Sequence, residues 1–475
     1  MADVSAIEQL MLELVNRARL DPLGEMNRQG LASLNKDLAA GTITATPKQA
    51  LAANPDLVEA AGGHSQWMID TDVFSHTGAG GSSAGARMGT AGYAFTGTWT
   101  WGENIAWKGS TGGIDSTQYI VDEHGGLFLS AGHRANILKD GFREIGIGGL
   151  TGDFGGYNAL VVTQNYALSG SKVFVTGAAY DDRDHNAFYS VGEARAGVAV
   201  AVSIGSATST TSTAAAGGYE VGVGSGTATV TFSGGGLAVP LGVVVSTAAG
   251  NAKVDLVDGV RIETSVSATL GANATSATLL GAVVANLTGN GGANTLTGNK
   301  AANTLDGGLG NDTLHGGTGN DLLWGGSGND RLNGGMGFDR LLAQIGNDLI
   351  TGGAGNDTLN GGLGADTLTG GSEKDTFVFN TSLGAGNIDR LTDFSPADDT
   401  IWLENAVFTG LATGKLGAAA LGAGTVASTS AQRILYDAAT GDVYFDRDGA
   451  GGVAAVKFAT LVTHPVVTAD DFVVI

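Results

Sequence analysis

The sequence contains no cysteine, so no disulfide bond can hold this fold together. Proline is scarce, with 6 in 475 residues, and the 80 glycines follow no three-residue period, which excludes a collagen-like chain. Lys and Arg number 24 against 46 Asp and Glu, and the net charge of −22 speaks against nucleic acid or an anionic membrane as partner. No apolar run approaches the roughly 20 residues that cross a bilayer, so no transmembrane segment is expected.

The N-terminus, Met-Ala-Asp-Val-Ser, lacks the basic region and apolar run of a cleaved signal peptide. Any export would therefore use another signal. The absence of cysteine fits a cytosolic protein, and it equally fits a bacterial extracellular protein that crosses a channel unfolded. With 43% hydrophobic residues, a chain of this length is expected to fold into three or four domains.

Four segments differ in pattern. Residues 1–170 open with an apolar helical stripe and then have a mixed composition, which predicts a compact α/β domain. Residues 171–285 alternate Val, Thr and Ala with polar residues, as at 226–233, which predicts a β-sandwich spacer. Residues 286–380 carry a short repeat, and residues 381–475 are β-rich. The helical stripe consists of Ile7, Leu10, Met11, Leu14, Val15 and Ala18.

The repeat is nine residues long. Eight aspartates follow one another at this interval, and an apolar residue lies two positions after each, which predicts a stack of turns and short strands. Asn294 and Asn303 keep the same register with an amide in place of the carboxylate, as a weakened N-terminal edge. The aspartates are Asp312, Asp321, Asp330, Asp339, Asp348, Asp357, Asp366 and Asp375.

This repeat predicts calcium binding. Glycine allows turns with positive φ in which carbonyl oxygens converge, and aspartate adds an anionic oxygen at the same depth of every turn. Stacked turns would place carboxylates in rows about 5 Å apart, so a divalent ion is expected to fill each row and to couple binding to folding. The predicted glycine ligands are Gly308, Gly310, Gly317, Gly319, Gly326, Gly328, Gly335, Gly337, Gly353, Gly355, Gly362 and Gly364.

The turn Gly-Gly-Thr-Gly-Asn-Asp at 316–321 and its successor at 325–330 resemble the repeats of RTX (hemolysin-type) proteins. The resemblance implies a parallel β-roll holding rows of calcium, and export through a bacterial type I secretion machinery. Two turns depart from the pattern, because Ala343-Gln344 replaces a glycine pair and Glu373 replaces a glycine. The segments 391–394, 434–437 and 444–449 resemble the C-terminal part of serralysin-type proteins, which implies an uncleaved secretion signal.

The first third holds candidate chemistry between Ser75 and Asn136. His and Glu side chains facing one cleft would suit a zinc-like ion with an open place for water, or acid–base catalysis. The alternative is that these side chains only connect loops by hydrogen bonds. The four elements are Phe-Ser-His at 74–76, Gly-Glu-Asn-Ile-Ala at 102–106, Asp-Glu-His at 122–124 and Gly-His-Arg-Ala-Asn-Ile-Leu at 132–138.

These elements, with Val-Asn-Arg-Ala-Arg at 15–19 and Ile-Gly-Ile-Gly at 145–148, resemble the bacterial CAP (SCP-like) family over residues 5–168. The resemblance implies a three-layer α-β-α domain whose cavity holds a tetrad for a divalent ion, zinc among the candidates. Carried onto this sequence, the tetrad is His76, Glu103, Glu123 and His133. The family has no single activity, so catalysis through Glu103, His76 and His133, with Ser75 or Ser130 as the nearest hydroxyls, stays open.

The middle segment resembles prealbumin-like β-sandwich modules, whose first loop, Asp-Asp-Arg-Asp-His-Asn at 181–186, would either hold calcium or be solvated. Together the patterns predict a multidomain, secreted, extracellular bacterial protein. Three functions remain open for the CAP head: binding an unknown extracellular ligand or protein, metal-assisted hydrolysis as a protease or esterase, and adhesion or matrix building.

Overall fold

A computed structural model describes residues 4–475. The predicted absence of a signal peptide depends partly on residues 1–3, which lie outside the described residues. The chain forms two compact units. Unit 1 runs to Ala274 and includes Leu280–Val283, and unit 2 comprises Thr275–Leu279 and Val284–Ile475.

Unit 1 begins with the helices that the sequence predicts. The Ser5 side chain and Glu8 form a reciprocal capping box at the start of the first helix, and Asp21 caps the second, which has Pro22 in its first turn. The helices are α1 (Ala6–Leu20), α2 (Pro22–Arg28), α3 (Pro55–Thr71), α4 (Ala84–Thr90), α5 (Ser116–Leu129) and α6 (Ala131–Ile137), with a short 3-10 turn at Ala79–Gly81.

A four-stranded sheet packs with these helices. It consists of β1 (Ala52–Ala53), β2 (Trp99–Ser110), β3 (Glu144–Phe154) and β4 (Tyr157–Ser169) in the order β1-β3-β4-β2. The Ile-Gly-Ile-Gly segment of β3 lies against α3, where a Cβ at Gly146 would come within 1.9 Å of the Leu57 backbone and one at Gly148 within 2.2 Å of Gly62. Only glycine permits this close approach of helix and strand.

The predicted stripe of α1 faces the core. Leu10, Met11, Leu14, Val15 and Ala18 are all buried and join one hydrophobic cluster with residues of α5, β3 and β4. The α/β architecture expected for the N-terminal region is therefore confirmed, as helices packed on a mixed sheet.

The rest of unit 1 consists of two further sheets. The strands are β5 (Val173–Tyr180), β6 (Val198–Ile204), β7 (Ala207–Ser212), β8 (Gly218–Val223), β9 (Thr227–Gly234), β10 (Leu241–Ser246), β11 (Ala252–Val257), β12 (Arg261–Thr264) and β13 (Ala268–Leu270). One sheet has the order β8-β5-β11-β12 and the other β7-β6-β9-β10-β13. Tyr219 of β8 packs edge-on against Phe232 of β9 with ring centroids 5.8 Å apart, so the two sheets face each other. The prealbumin-like topology itself is not confirmed.

The sandwich shares its core with the α/β part. Every residue of β5 is buried, and Ala178 and Tyr180 belong to the same hydrophobic cluster as α1. The Asn251 side-chain amide donates to the carbonyls of Ala50 at 2.9 Å and Arg143 at 2.7 Å. Strand β5 of the sandwich therefore packs into the same hydrophobic cluster as α1.

Unit 2 is built from short strands. They are β14 (Ser276–Leu279), β15 (Leu287–Thr288), β16 (Thr295–Thr297), β17 (Thr304–Leu309), β18 (Thr313–Thr318), β19 (Leu322–Ser327), β20 (Arg331–Met336), β21 (Arg340–Ile345), β22 (Leu349–Ala354), β23 (Thr358–Asn360), β24 (Thr367–Ser372), β25 (Thr376–Phe379), β26 (Asp389–Leu391), β27 (Thr400–Leu403), β28 (Gly414–Lys415), β29 (Leu421–Ala423), β30 (Ile434–Asp437), β31 (Asp442–Phe445), β32 (Val456–Leu461) and β33 (Phe472–Val474).

The repeat strands are parallel and alternate between two sheets. Each strand pairs with the strand 18 residues further on, so that Leu305 lies beside Leu323 and Leu314 beside Leu332. These leucines are buried, which confirms the predicted parallel roll with a thin apolar core. The C-terminal region continues both sheets, with β32 beside β26 and β33 beside β27. Within residues 4–475, no helix has the length and hydropathy needed to span a membrane.

Candidate functional site

The repeat aspartates of unit 2 form two ladders. Each Oδ1 accepts a hydrogen bond from the backbone N–H of the residue 18 positions earlier, as from Asp312 to Asp330 at 2.7 Å and from Asp321 to Asp339 at 2.7 Å. For Asp312 and Asp321 that residue is an asparagine. One ladder runs through Asp312, Asp330, Asp348 and Asp366, and the other through Asp321, Asp339, Asp357 and Asp375. The structure therefore brings all eight predicted aspartates together in rows.

The second carboxylate oxygen of each repeat aspartate, Oδ2, takes no part in these ladder hydrogen bonds. The Oδ2 atoms of all eight aspartates are buried and have no hydrogen-bond partner among residues 4–475. A Cβ placed on Gly307 would lie 2.6 Å from Asp312 Oδ2 and 2.6 Å from the Gly325 carbonyl oxygen, so glycine leaves the space in which these oxygens converge. Hard oxygen donors from carboxylates and main-chain carbonyls are the ligands that calcium prefers, and the residues fit this ion.

The electrostatics of the ladders also call for a cation. Burial, followed by the charges of neighbouring aspartates, raises the pKa of Asp348 and Asp357 to about 7. Burial raises the pKa of Asp321, Asp330 and Asp375 to about 6. The desolvated carboxylates therefore resist ionisation when no ion compensates their charge.

The predicted glycine positions adopt the backbone conformation that the turns need. All twelve have φ between 92° and 141°, a range that residues with a side chain rarely adopt. At the two departures from the pattern, the turn keeps this conformation without glycine, with φ of 78° at Gln344 and 77° at Glu373. Calcium binding beside these two turns stays a prediction.

At the N-terminal edge an amide replaces the carboxylate. The Asn303 side chain donates to the Ala285 carbonyl at 2.7 Å, and its Oδ1 accepts from the Asn299 N–H at 2.8 Å. Here the amide hydrogen supplies the positive partner that a carboxylate would lack. This matches the predicted weakening of the edge, because an asparagine turn satisfies its polar atoms without an ion.

Two residues of the predicted tetrad, His76 and Glu103, form a three-residue network with Arg87. Glu103 lies on β2, its Oε1 is 2.9 Å from His76 Nδ1, and its Oε2 pairs with the Arg87 guanidinium of α4. Arg87 also donates to the carbonyls of His76 at 3.1 Å and Ser82 at 2.9 Å. Both oxygens of Glu103 are therefore engaged, and a protein cation already balances its charge.

The other two tetrad candidates are differently placed. Glu123 of α5 is buried, neither of its oxygens has a hydrogen-bond partner among residues 4–475, and burial raises its pKa to about 9. Burial, followed by the charge of His76, lowers the pKa of His133 on α6. No three side chains of the tetrad present ligand atoms within 4.8 Å of one another in the described part of the chain. Binding of a metal ion by the four tetrad side chains stays a prediction.

Two motifs of the cleft are connected by amides. Asn136 donates to the Glu103 carbonyl at 3.1 Å and to Asn104 Oδ1 at 2.9 Å, while Asn104 donates to the His133 carbonyl at 3.2 Å. These bonds hold β2 against α6. These bonds come from asparagine side chains, so the alternative that the His and Glu side chains only connect loops stays a prediction.

The acidic loop of the sandwich closes on Glu193. Asp182, Asp184 and Glu193 bring ligand atoms within 4.8 Å of one another. Glu193 is saturated, however, because its carboxylate accepts from the backbone N–H groups of Arg183 at 2.7 Å, Asp184 at 3.1 Å and Ser190 at 3.0 Å. The loop is thus ordered by its own backbone.

Sequence reasoning missed two features. Arg87 was not singled out, although it is the only Lys or Arg between residues 49 and 107. Asp389 and Asp399 were also missed, because they fall outside the nine-residue spacing. The local signal was present, since Asp-Arg-Leu at 389–391 repeats the tripeptide at 330–332.

Two known families match two different regions of the chain, one in the N-terminal third and one in the repeat. The model of the cysteine-rich secretory protein family, CAP, matches residues 12–166. The model of the RTX calcium-binding nonapeptide repeat matches residues 286–314, 306–341 and 343–377. The chain contains a CAP domain and RTX calcium-binding repeats. It is therefore a calcium-binding protein with two regions typical of extracellular proteins, and the comparisons give no support to zinc in the CAP cleft.

Two solved structures are similar over part of the chain. An extracellular protein containing an SCP domain from Bacillus anthracis str. Ames is 27% identical with a TM-score of 0.21, and the match covers 26% of this chain and 35% of that one. A subunit of the mannuronan C5-epimerase from Azotobacter vinelandii is 27% identical with a TM-score of 0.16, covering 32% of this chain and 77% of that one. No curated protein matches the chain.

Proposed function

We propose that this RTX protein leaves the cell unfolded through a type I secretion channel and that extracellular calcium then folds its roll. The proposal divides the chain into the CAP domain at 1–170, a spacer at 171–285, the roll at 286–380 and a C-terminal secretion region at 381–475. The observation that carries it is the set of eight buried Oδ2 atoms that find no hydrogen-bond partner in the part of the chain that the structure describes. Burying a carboxylate without compensation costs several kcal/mol, so calcium must stabilise the closed roll.

The difference in calcium concentration between the cytosol and the outside of the cell controls the folding of the roll. Extracellular calcium-binding modules have dissociation constants of about 10⁻⁴ to 10⁻³ M, which scarce cytosolic calcium does not reach. Inside the cell the rungs repel and the roll stays open, as export through a channel requires. Outside, binding adds a free energy that grows with the ratio of calcium to its dissociation constant.

The test is a calcium titration followed by circular dichroism of the full chain. Asp330→Ala and Asp339→Ala are each expected to raise the calcium concentration at which half of the β-structure forms. Asp330→Asn sharpens the test, because its amide oxygen still accepts the Asp312 N–H while the charge is lost. Asp306→Ala is the matched control, since it removes the same charge from a half-buried residue of β17 outside both ladders. An unchanged midpoint in all three ladder variants would contradict the proposal.

For the CAP head, the structure favours a binding role over hydrolysis. Arg87 neutralises Glu103, and the exposed rings of Trp101 and Trp107 lie on either side of Glu103 along the same face of β2. Exposed aromatic rings beside a buried ion pair suit the recognition of a ligand or protein partner. The head is proposed to bind an extracellular ligand while the roll supplies calcium-dependent delivery.

Hydrolysis is the second candidate, supported by the 2.9 Å contact that orients His76. If Nδ1 donates to Glu103, Nε2 of His76 is free to accept a proton. Turnover of casein and of an ester substrate by the wild type, Glu103→Gln and the exposed control Glu59→Gln separates the two functions. A binding head gives no turnover in any of them, whereas turnover that only Glu103→Gln loses would establish catalysis.

A further inference from the structure

Two aspartates beyond the nonapeptide repeats occupy rungs of the ladders. Asp389 Oδ1 accepts a hydrogen bond from the Asp366 N–H at 3.1 Å, and Asp399 Oδ1 accepts one from the Asp375 N–H at 3.0 Å. These are the contacts that every repeat aspartate makes, such as Asp366 Oδ1 with the Asp348 N–H at 2.8 Å. The intervals are 23 and 24 residues instead of 18, so the sequence period conceals them.

The backbone repeats the same rung. The Asp366 carbonyl accepts from the Arg390 N–H at 2.8 Å, and the Asp375 carbonyl accepts from the Thr400 N–H at 2.8 Å. The Asp348 carbonyl receives the same bond from Thr367, also at 2.8 Å. Strands β26 and β27 therefore stack on β24 and β25 in the register of the roll, and the longer intervening loops are accommodated outside it.

The repeat aspartates that face these two positions, Asp366 and Asp375, each leave one carboxylate oxygen open, whereas both oxygens of Asp399 accept backbone N–H groups, Oδ2 from Ser395 at 2.9 Å. Asp366 is 0% exposed and Asp375 is 2% exposed, yet the Oδ2 atom of each has no hydrogen-bond partner among the described residues. Asp389 is buried as well, and its Oδ1 lies 3.1 Å from the Asp366 backbone nitrogen. Two buried carboxylates thus face each other at one end of the first ladder.

The second ladder ends in a similar group. Asp393 accepts from the N–H groups of Gly370 and Gly371, each at 2.9 Å, which places its carboxylate at the turn of Asp375. Burial, followed by the charges of Asp399 and Asp393 among others, raises the pKa of Asp375 to about 6. Three carboxylates from three segments therefore converge where the repeat ends.

We propose that Asp389 and Asp399 each complete one further calcium site, with Asp366 and Asp375 respectively, beyond the last repeat. The family match ends at residue 377 and assigns neither residue. The inference rests on the proposed function, because it extends the ion rows of the roll by one position each. Since β26 pairs with β32 and β27 with β33, these ions make the order of the C-terminal region depend on calcium.

Native mass spectrometry of the calcium-saturated full chain tests the proposal. Asp389→Asn and Asp399→Asn each keep the oxygen that accepts the backbone N–H but lose the charge. Each single variant is expected to carry one calcium ion fewer than the wild type, and the double variant two fewer. Asp398→Asn is the control, because it removes the same charge from an exposed neighbour and is expected to leave the count unchanged.

Hydrogen exchange gives a second readout. In the double variant, strands β26, β27, β32 and β33 are expected to need more calcium for protection, while β18 to β22 keep the wild-type midpoint. An equal ion count and equal midpoints in the double variant and the wild type would overturn the inference and leave the proposed function intact. A wild-type chain that takes up no calcium at all would overturn both.

Discussion

Two buried arginines act as cross-links in this cysteine-free CAP domain. Arg19 is 0% exposed, and its guanidinium donates to the carbonyls of Gln49 at 2.9 Å, Ile137 at 2.7 Å, Lys139 at 3.1 Å and Phe142 at 3.3 Å. Arg134 connects α6 in the same way to carbonyls near residues 34–36 and 128–129. One planar group with five donors thereby joins segments that are far apart in sequence.

Arg19→Met is expected to lower the free energy of unfolding of unit 1 by about 3 kcal/mol or more, because several buried carbonyls lose their donor. Urea unfolding followed by tryptophan fluorescence measures this change, since four of the six tryptophans lie in unit 1. The exposed Arg183 is the control, and Arg183→Met is expected to change the free energy by less than about 0.5 kcal/mol. Equal effects of the two substitutions would show that Arg19 is not a cross-link.

Gln344 stores backbone strain in the roll. Its φ of 78° is disfavoured by about 1 kcal/mol for a residue with a Cβ, so Gln344→Gly is expected to lower the calcium midpoint of roll formation. Calcium titration by circular dichroism measures the shift. Glu373→Gly is the comparison, because Glu373 has the same strain but its carboxylate accepts the Gly355 N–H at 2.7 Å, so its gain should be smaller. A raised midpoint for Gln344→Gly would argue that its side chain has a stabilising contact.

At the residue scale, the roles of periodically repeated residues could be predicted from the sequence, and individual side-chain contacts could not. The aspartates and glycines recur every nine residues, so their roles follow from stacking. Arg87 forms one ion pair with Glu103, which is 16 positions away, and no repetition marks such a contact. Glu123 was predicted as a ligand candidate, but its burial without a hydrogen-bond partner in the described chain follows only from the packing of α5.

At the scale of the element, the two ladders make the roll sensitive to pH. The pKa of Asp348 and Asp357 is about 7 in the ion-free fold, against an ordinary value of 3.8. Between these values the folded roll binds more protons than the unfolded chain, so the stability of the ion-free roll falls as pH rises through 7 and is fully recovered below about 4.

The calcium-free chain is therefore expected to have more β-structure, with a higher melting temperature, at pH 5 than at pH 8. Circular dichroism after removal of calcium by a chelating resin measures this. In saturating calcium the trend should reverse, because protons then compete with the ion for the same oxygens. The same pH dependence with and without calcium would contradict the assignment of the ladders as ion sites.

Strands differ in how far the sequence predicts them. The repeat strands were predicted with their inward leucines, because every nine residues supply one loop and one strand, and 18 residues return the chain to the same sheet in register. Strands β26 and β27 continue the same stack, yet loops of irregular length precede them, and only the backbone bonds of Arg390 and Thr400 reveal their register. A parallel ladder tolerates such loops because only the strand itself has to match its neighbour.

At the scale of the whole molecule, the chain separates into a part with carboxylate ladders and a part without them. All eight repeat aspartates lie in unit 2. The sequence predicted this change of character near residue 286 from the onset of the repeat. It did not predict that the sandwich strand β5 shares one hydrophobic core with α1, because the sequence of a strand does not show which neighbouring element covers each of its faces.

Calcium removal is therefore expected to abolish one of two thermal transitions. In millimolar calcium, differential scanning calorimetry of the full chain should show the unfolding of both units, and with chelator the transition of unit 2 should disappear, since its buried carboxylates lose their counter-charge. The transition of unit 1 should keep its temperature, because its core contains no ladder. Magnesium at the same concentration is the ionic control and should not restore the lost transition, since it demands a compact octahedral shell that keeps several waters. A unit 2 transition at the same temperature in chelator and in calcium would mean that the ladders fold without ions, and the account of export followed by calcium-driven folding would fail.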